Sequence, residues 1–199
     1  MSISTPARPT PPRAVLFGSI GTLAETSDLQ RRAFNAAFEE AGLSWSWDAD
    51  TYRRLIRVPG GASRLAAYAA DRGEQVDVAA LHARKRALFH ETLQAVELPP
   101  RPGVTDIVEA AGEAGAALAL VTTTAAETVL YLLEALRPRL EPTTFDAFTT
   151  ADDGLPAKPH PAAYVHALFR LGLPREEAVA IEDIAATATA ALGAALRAV

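Results

Sequence analysis

The sequence predicts an α/β fold in which a parallel sheet forms the core and a helical segment is inserted into it. Short apolar runs near 14–18, 117–121, 145–149 and 178–182 have the length and composition of buried strands. Helical patterns separate these runs, and this alternation is typical of a parallel sheet covered by helices on both faces. The chain of 199 residues is 49% apolar, which is enough for a sizeable core in one domain with an insertion.

The segment 25–100 differs from the rest because its periodicity is helical throughout. Asp28 is expected to cap a first helix, which ends at Gly42. Further helical periodicity follows at 49–57, 62–72 and 78–94. We therefore predict a helical cap over 25–100, inserted into a core made of 13–24 and 101–199.

Composition and charge narrow the class of protein. The first 12 residues contain four prolines and lack the apolar stretch of a signal peptide, so we expect a disordered Pro-rich leader over 1–12. The absence of Cys excludes disulfides and thiol chemistry and suits a cytoplasmic location. A net charge of −5 without a basic stripe argues against nucleic acid, and no apolar run reaches membrane-spanning length. We expect neither nucleic acid nor membrane among the partners.

Four sequence blocks carry the functional signal. They are Ala14-Val-Leu-Phe-Gly-Ser-Ile-Gly-Thr-Leu-Ala24, Leu118-Ala-Leu-Val-Thr122, Ala157-Lys-Pro-His-Pro-Ala-Ala-Tyr164 and Ala178-Val-Ala-Ile-Glu-Asp183. In order and spacing they resemble the four motifs of the haloacid dehalogenase-like (HAD) phosphatases, and the resemblance covers about residues 14–199. Glu25, the stretch 29–34 and the pair Gly60-Gly61 resemble the CbbY branch, which comprises xylulose-bisphosphate phosphatases related to β-phosphoglucomutase. The resemblance implies a HAD-like Rossmannoid parallel sheet core with an inserted helical cap.

The first block departs from that family at both reactive positions. The family has Asp-x-Asp-Gly-Thr there, with a nucleophile and a general acid/base, whereas this chain has Gly18 and Ile20. Alternation along a strand would turn these two residues towards the site and Ser19 away from it. No His lies near Ser19 to activate it. Phosphate monoester hydrolysis needs acceleration of up to ~10²¹-fold, and positioning without a nucleophile supplies about 10³ to 10⁴. We therefore expect no catalytic residues.

The other blocks keep the residues that the family uses. The resemblance implies that Thr122 and Thr123 hold a phosphoryl group, that Lys158 neutralises it, and that Glu182 and Asp183 bind a metal. Simpler roles are open: the threonines could cap the helix that follows, and Lys158 could compensate two carboxylates that would otherwise repel. With one anionic ligand missing, magnesium should bind weakly. We expect no cofactor, or Mg²⁺ if the site is still competent.

In the cap, the resemblance implies that Glu25, Arg31 and Arg64 face the substrate. Two expected residues are absent, because Gln30 stands where the branch has His and Ala62 where it has Lys. The four histidines show no metal-ligand spacing and are expected to be solvated or packed; they are His82, His90, His160 and His166.

These observations predict a HAD-fold pseudophosphatase that binds a protein partner or a phosphorylated small molecule. Thr122 and Lys158 would hold the phosphorylated ligand. One alternative is an active phosphatase with an unorthodox nucleophile, and another is a decayed paralogue without a selected role. The chain stops at 196–199, where the family's final strand would begin, so either a truncated sheet or a short edge strand is expected.

Overall fold

A parallel sheet in the order β3-β2-β1-β4-β5 forms the centre of the computed structural model, which describes residues 11–18, 20–57 and 60–199. The strands are β1 Ala14–Phe17, β2 Ala117–Val121, β3 Ala147–Thr149, β4 Ala178–Ile181 and β5 Arg197–Ala198. The four predicted strands are confirmed, and the sheet ends in a two-residue edge strand. The predicted leader, apart from Pro11 and Pro12, and the orientation of Ser19 lie outside the described residues.

The central strand β1 is buried on both faces of the sheet. Val15 and Phe17 point into one apolar cluster, and Ala14 and Leu16 point into another. The helices that pack on the first face are α6 Val104–Ala114 and α7 Ala126–Ala135, and those on the second are α8 Ala162–Leu171 and α9 Ala185–Gly193. Burying a large apolar side chain contributes about 1.5–3 kcal/mol. Both faces of β1 are therefore committed to packing, and polar side chains can gather only beyond its end.

Between β1 and β2 the chain forms a separate helical layer, here called the inserted helices. After a short turn of helix, α1 Ile20–Leu23, this layer comprises α2 Ser27–Glu40, α3 Ala49–Leu55, α4 Gly61–Arg72 and α5 Val78–Gln94. It has its own aromatic cluster, in which the Trp47 ring lies 4.8 Å from the rings of both Phe34 and Phe38. Tilted and edge-to-face aromatic contacts of this kind add to the free energy of burial.

The start of α2 corrects the prediction for Asp28. The helix begins after Thr26, without a side-chain cap, and Asp28 lies in its first turn. There its carboxylate pairs with Arg31 at 2.6 Å and is also favoured by the positive end of the helix dipole. The predicted end is confirmed, because the helix stops just before Gly42, whose φ of 69° suits glycine.

Helix α5 connects the two layers. Leu81 near its start belongs to the aromatic cluster of the inserted helices, whereas Phe89 and Leu93 belong to the core cluster under β1. It packs on α2 in one layer and on α7 in the other. None of the helices in the described part of the chain is both long and apolar enough to cross a membrane.

Candidate functional site

A cavity of about 370 Å³ lies between the carboxyl ends of the strands and the inserted helices. This is the usual place for a ligand in an open α/β sheet. Its sheet side is lined by Gly18, Ile20, Thr122, Thr123, Lys158 and Asp183, and its helical side by Tyr52, Gly61, Arg64, His82, Lys85 and Arg86. Gly18 and Ile20 both face the cavity as predicted, although Ile20 does so from the first turn of α1 instead of from a strand.

The space next to Gly18 is filled by the Glu182 carboxylate. A Cβ atom placed on Gly18 would lie 2.0 Å from Cδ of Glu182 and 2.2 Å from its Oε1. Thus the carboxylate of the neighbouring strand end occupies the volume in which a side chain at position 18 would begin. Glu182 is not among the residues that line the cavity, and its side chain is only 1% exposed.

Lys158 holds this carboxylate in place. Its Nζ donates to Oε1 of Glu182 at 2.7 Å, to the carbonyl of Val121 at 2.7 Å, and to the carbonyl of Gly18. Burial lowers the pKa of Lys158, and the Glu182 carboxylate opposes that shift. The expected compensation of Lys158 by Glu182 is therefore confirmed. An ammonium and a carboxylate buried together keep each other charged, whereas either one alone would be costly.

Tyr164 completes the buried network. Its hydroxyl donates to Oε1 of Glu182, and burial together with that carboxylate raises the pKa of Tyr164 well above its usual range. The hydroxyl therefore stays protonated. Oε2 of Glu182 is also buried, and it makes no hydrogen bond within the described part of the chain.

Thr122 shapes the adjacent turn after β2. Its N–H donates to the carbonyl of Thr149 at 2.8 Å, and its Oγ1 accepts the N–H of Thr124 at 3.1 Å. Helix α7 begins only after Ala125 and has no side-chain cap, so the interpretation of these threonines as caps is wrong. The hydroxyl instead closes a local turn two residues long, a common use of Thr. Thr122 and Thr123 both line the cavity.

On the helical side, Lys85 is a buried ammonium between two aromatic rings. Its side chain lies 4.6 Å from the ring centre of Phe34 and 4.8 Å from that of Phe89, and its Nζ donates to Oε1 of Gln30 at 3.0 Å. Burial, with a smaller contribution from Arg64, lowers the pKa of Lys85 to about 7. Gln30, which departs from the resembling branch, thus serves as an acceptor for Lys85.

Arg64 lies beside Lys85 and lines the cavity. Its Nε donates to the carbonyl of Leu55 at 3.0 Å, and its guanidinium lies 5.4 Å from the ring centre of Tyr52. Burial lowers the pKa of Arg64, but a guanidinium keeps its charge at any ordinary pH. Burial and then the neighbouring cations lower the pKa of His82, so this ring is neutral at pH 7.

Two predicted residues of the insertion do not reach the cavity. The Glu25 carboxylate pairs with Arg101 at 2.6 Å, and Arg31 is held by Asp28 and donates to the carbonyl of Trp47. Neither residue lines the cavity. Both are drawn away by charged or carbonyl partners near them in the fold.

Conversely, the prediction missed three titratable residues of α5 that line the cavity. His82, Lys85 and Arg86 lie on α5, and their spacing with Phe89 places all four on one helical face. That spacing could have indicated that these side chains share one surface. However, the same face of a helix is equally suited to solvent, and the sequence does not show which way it turns.

The chain belongs to the haloacid dehalogenase-like hydrolase family, whose model matches residues 12–195. Its relatives include a CbbY protein of Cereibacter sphaeroides, which is 38% identical over 92% of this chain and 81% of the relative. A plasmid CbbY protein of Cupriavidus necator is 40% identical over 86% of this chain and 70% of the relative. These relatives place the chain in the CbbY branch.

Solved structures agree with the sequence relatives. The crystal structure of CbbY from Rhodobacter sphaeroides in complex with phosphate has a TM-score of 0.84 and 36% identity, covering 94% of this chain and 84% of that one. A variant of the same protein, with one Asp replaced by Asn, was solved with xylulose 1,5-bisphosphate and has the same TM-score. The predicted α/β HAD-like fold is therefore confirmed.

The family generally uses Mg²⁺, but the residues of this cavity do not fit that ion. Mg²⁺ needs near-octahedral oxygen ligands, with one or two carboxylates among them. Among the described residues, no group of three His, Asp or Glu side chains is placed to hold a metal. Glu182 is committed to Lys158, whose ammonium also bonds to the Gly18 carbonyl. Asp183 alone would supply the negative charge, next to a fixed cation.

Proposed function

We propose that this protein binds a phosphorylated metabolite in the cavity and does not hydrolyse it, as a pseudophosphatase of the HAD family. One observation supports this most strongly: the space beside Gly18 holds the Glu182 carboxylate, which is buried and bonded to Lys158. A carboxylate that is 1% exposed and paired with an ammonium is a poor nucleophile, because it neither meets the substrate nor carries a free charge.

The choice of a phosphorylated ligand rests on the rest of the cavity. Basic residues line its helical side, where a phosphate can bind, and the hydroxyl-bearing Thr122 and Thr123 line the other side. In the relative from Rhodobacter sphaeroides, a variant without one Asp still holds xylulose 1,5-bisphosphate. In that protein, binding of the bisphosphate does not require that carboxylate. Sugar phosphates are therefore the first compounds to test with this chain.

An active phosphatase is the second candidate, and the comparisons favour it because the family is a hydrolase family. Its nucleophile would have to come from another group of the cavity, such as the Thr122 hydroxyl or the Asp183 carboxylate. The Thr122 hydroxyl oxygen already accepts an N–H bond from Thr124. This candidate thus makes a sharp prediction, since substitution of Asp183 should abolish any turnover.

Binding and hydrolysis can be measured on the same preparation. We expect calorimetry to show binding of sugar phosphates, and a phosphate-release assay with Mg²⁺ to show no turnover above a buffer control. Asp183→Asn provides the matched variant. Turnover that follows the protein through purification and is lost in Asp183→Asn would overturn the pseudophosphatase proposal and establish the second candidate.

A further inference from the structure

The two sides of the cavity carry opposite charge. On the sheet side, the Lys158 ammonium is matched by Glu182 at 2.7 Å, and Asp183 adds a further carboxylate. On the helical side, Lys85, Arg64 and Arg86 are all basic. Within the part of the chain that the structure describes, Asp183 is the only carboxylate residue among those lining the cavity.

Lys85 has donors available for a ligand. An ammonium has three N–H groups, and within residues 11–18, 20–57 and 60–199 Lys85 gives one of them to Gln30. Its side chain is packed between Phe34 and Phe89, so it cannot swing out to solvent without leaving both rings. A buried cation with one neutral acceptor gains strongly from an anionic oxygen. The helical side is therefore the better site for a phosphate group.

The sheet side offers an anion much less. Lys158 has its charge balanced by Glu182, and its other two N–H groups donate to the carbonyls of Val121 and Gly18. A phosphate placed there would approach Asp183 without a metal ion between them. Hydroxyl groups suit this side better, because they can donate to the carboxylate and accept from the Thr123 hydroxyl.

From this charge separation we infer that the ligand is a polyol or sugar with a single phosphate. Its phosphate binds at Lys85 and Arg64, and its uncharged hydroxyl end lies against Thr123 and Asp183. The inference rests on the proposed function, since it concerns a ligand of the same cavity. It differs from a bisphosphate-binding site, in which both sides of the cavity must accept an anion.

Calorimetry with two matched compounds tests this inference. Ribulose 5-phosphate and ribulose 1,5-bisphosphate differ by one phosphate group, and we expect the monophosphate to bind more tightly. Lys85→Met should weaken its binding by about tenfold to a hundredfold, as expected when a charged hydrogen bond is lost. The control is Arg84→Gln, which removes a cation from the same helix but lies outside the cavity and pairs with Glu40. This variant should bind like the unmodified protein.

A second variant reports on the sheet side. Glu182→Gln keeps the shape of the side chain and removes the charge that balances Lys158, so it should improve binding of the bisphosphate relative to the monophosphate. A cooperative melt establishes that each variant is folded. Tighter binding of the bisphosphate by the unmodified protein, or equal binding by Lys85→Met, would overturn the inference and leave the proposed function standing. Binding of neither compound would overturn both.

Discussion

The sheet side and the helical side of the cavity solve the problem of buried charge in different ways. On the sheet side, Lys158 and Glu182 neutralise each other within the protein, at 2.7 Å and almost without exposure. On the helical side, Lys85 contacts two ring faces and an amide oxygen, with no carboxylate bonded to it in the described part of the chain, and its pKa falls to about 7. The comparison shows that the same cavity holds one charge that is already satisfied and another that a ligand can satisfy.

Breaking the satisfied pair should have the largest effect on stability. Lys158→Met leaves the Glu182 carboxylate buried without its cation, and we expect a loss of about 3–5 kcal/mol in the free energy of unfolding. The double variant Lys158→Met, Glu182→Gln removes both charges and should recover most of that loss. Urea unfolding of the unmodified protein, of Lys158→Met, of Glu182→Gln and of the double variant gives the coupling energy. Additive losses would show that the two side chains do not act as a pair.

Filling the space at Gly18 should have the next largest effect on stability. The larger substitution, to Asp, should cost less than the smaller one, to Ala. Gly18→Ala would push the Glu182 carboxylate off Lys158 and should cost about 1–3 kcal/mol. Gly18→Asp displaces the same group but brings its own carboxylate to Lys158, so it should cost less than the Ala variant. Thermal and urea unfolding measure both. If Asp proves the more damaging of the two, then Lys158 cannot exchange one carboxylate for the other.

The Glu182 carboxylate beside Gly18 also affects any attempt to restore the family motif. Gly18→Asp with Ile20→Asp cannot simply add two carboxylates, because Glu182 already occupies the first position. We expect the pair of substitutions to gain magnesium affinity only when Glu182 moves away from Lys158. Calorimetry with Mg²⁺ on the folded double variant checks this. If the double variant binds Mg²⁺ no more tightly than the unmodified protein, then Glu182 remains bonded to Lys158.

On the helical side, replacing Lys85 should stabilise the protein while it weakens the binding of anions. Because the pKa of Lys85 is about 7 in the folded state and near 10.5 when unfolded, the unfolded chain binds the extra proton between these values. Stability therefore rises with pH through that window, by up to about 1.4 kcal/mol per pH unit. Lys85→Met removes this contribution, so its gain should be largest below pH 7 and smallest near about pH 10. If the free energies of unfolding of the two proteins changed with pH in parallel, the lowered pKa of Lys85 would be contradicted.

The smallest effect is expected at Arg31, outside the cavity. Its pair with the exposed Asp28 carboxylate contributes little, so Arg31→Gln should cost under about 1 kcal/mol. Its affinity for sugar phosphates should match that of the unmodified protein, since the side chain does not line the cavity. A large loss of affinity would show that Arg31 contacts the ligand, although it does not line the cavity.

The sequence predicted the sheet side well and the helical side poorly, for physical reasons. Buried strands have a strong apolar signature, and the ends of β2 and β4 bring Thr122 and Asp183 to one edge of the sheet, where the loop between β3 and α8 adds Lys158. Lys85 gave no comparable signal, because a basic residue on an amphipathic helix is usually solvated, and only packing between helices shows that it is enclosed. The position of the Glu182 carboxylate could not be predicted either, since it depends on the space left by Gly18 at the end of the neighbouring strand β1.

The path of α5 through both layers affects how the cavity can open. The helix rises ~1.5 Å per residue, so Leu81 lies ~18 Å along the axis from Leu93, and Lys85 lies ~12 Å from it. If the helix tilts by ~10° about Leu93, which is anchored under the sheet, Leu81 moves ~3 Å and Lys85 ~2 Å on this geometry. In such a tilt, the residues of α5 move further the more distant they are from Leu93 in the core. A tilt of α5 away from the sheet would therefore widen the cavity and move the Lys85 ammonium away from a ligand bound there.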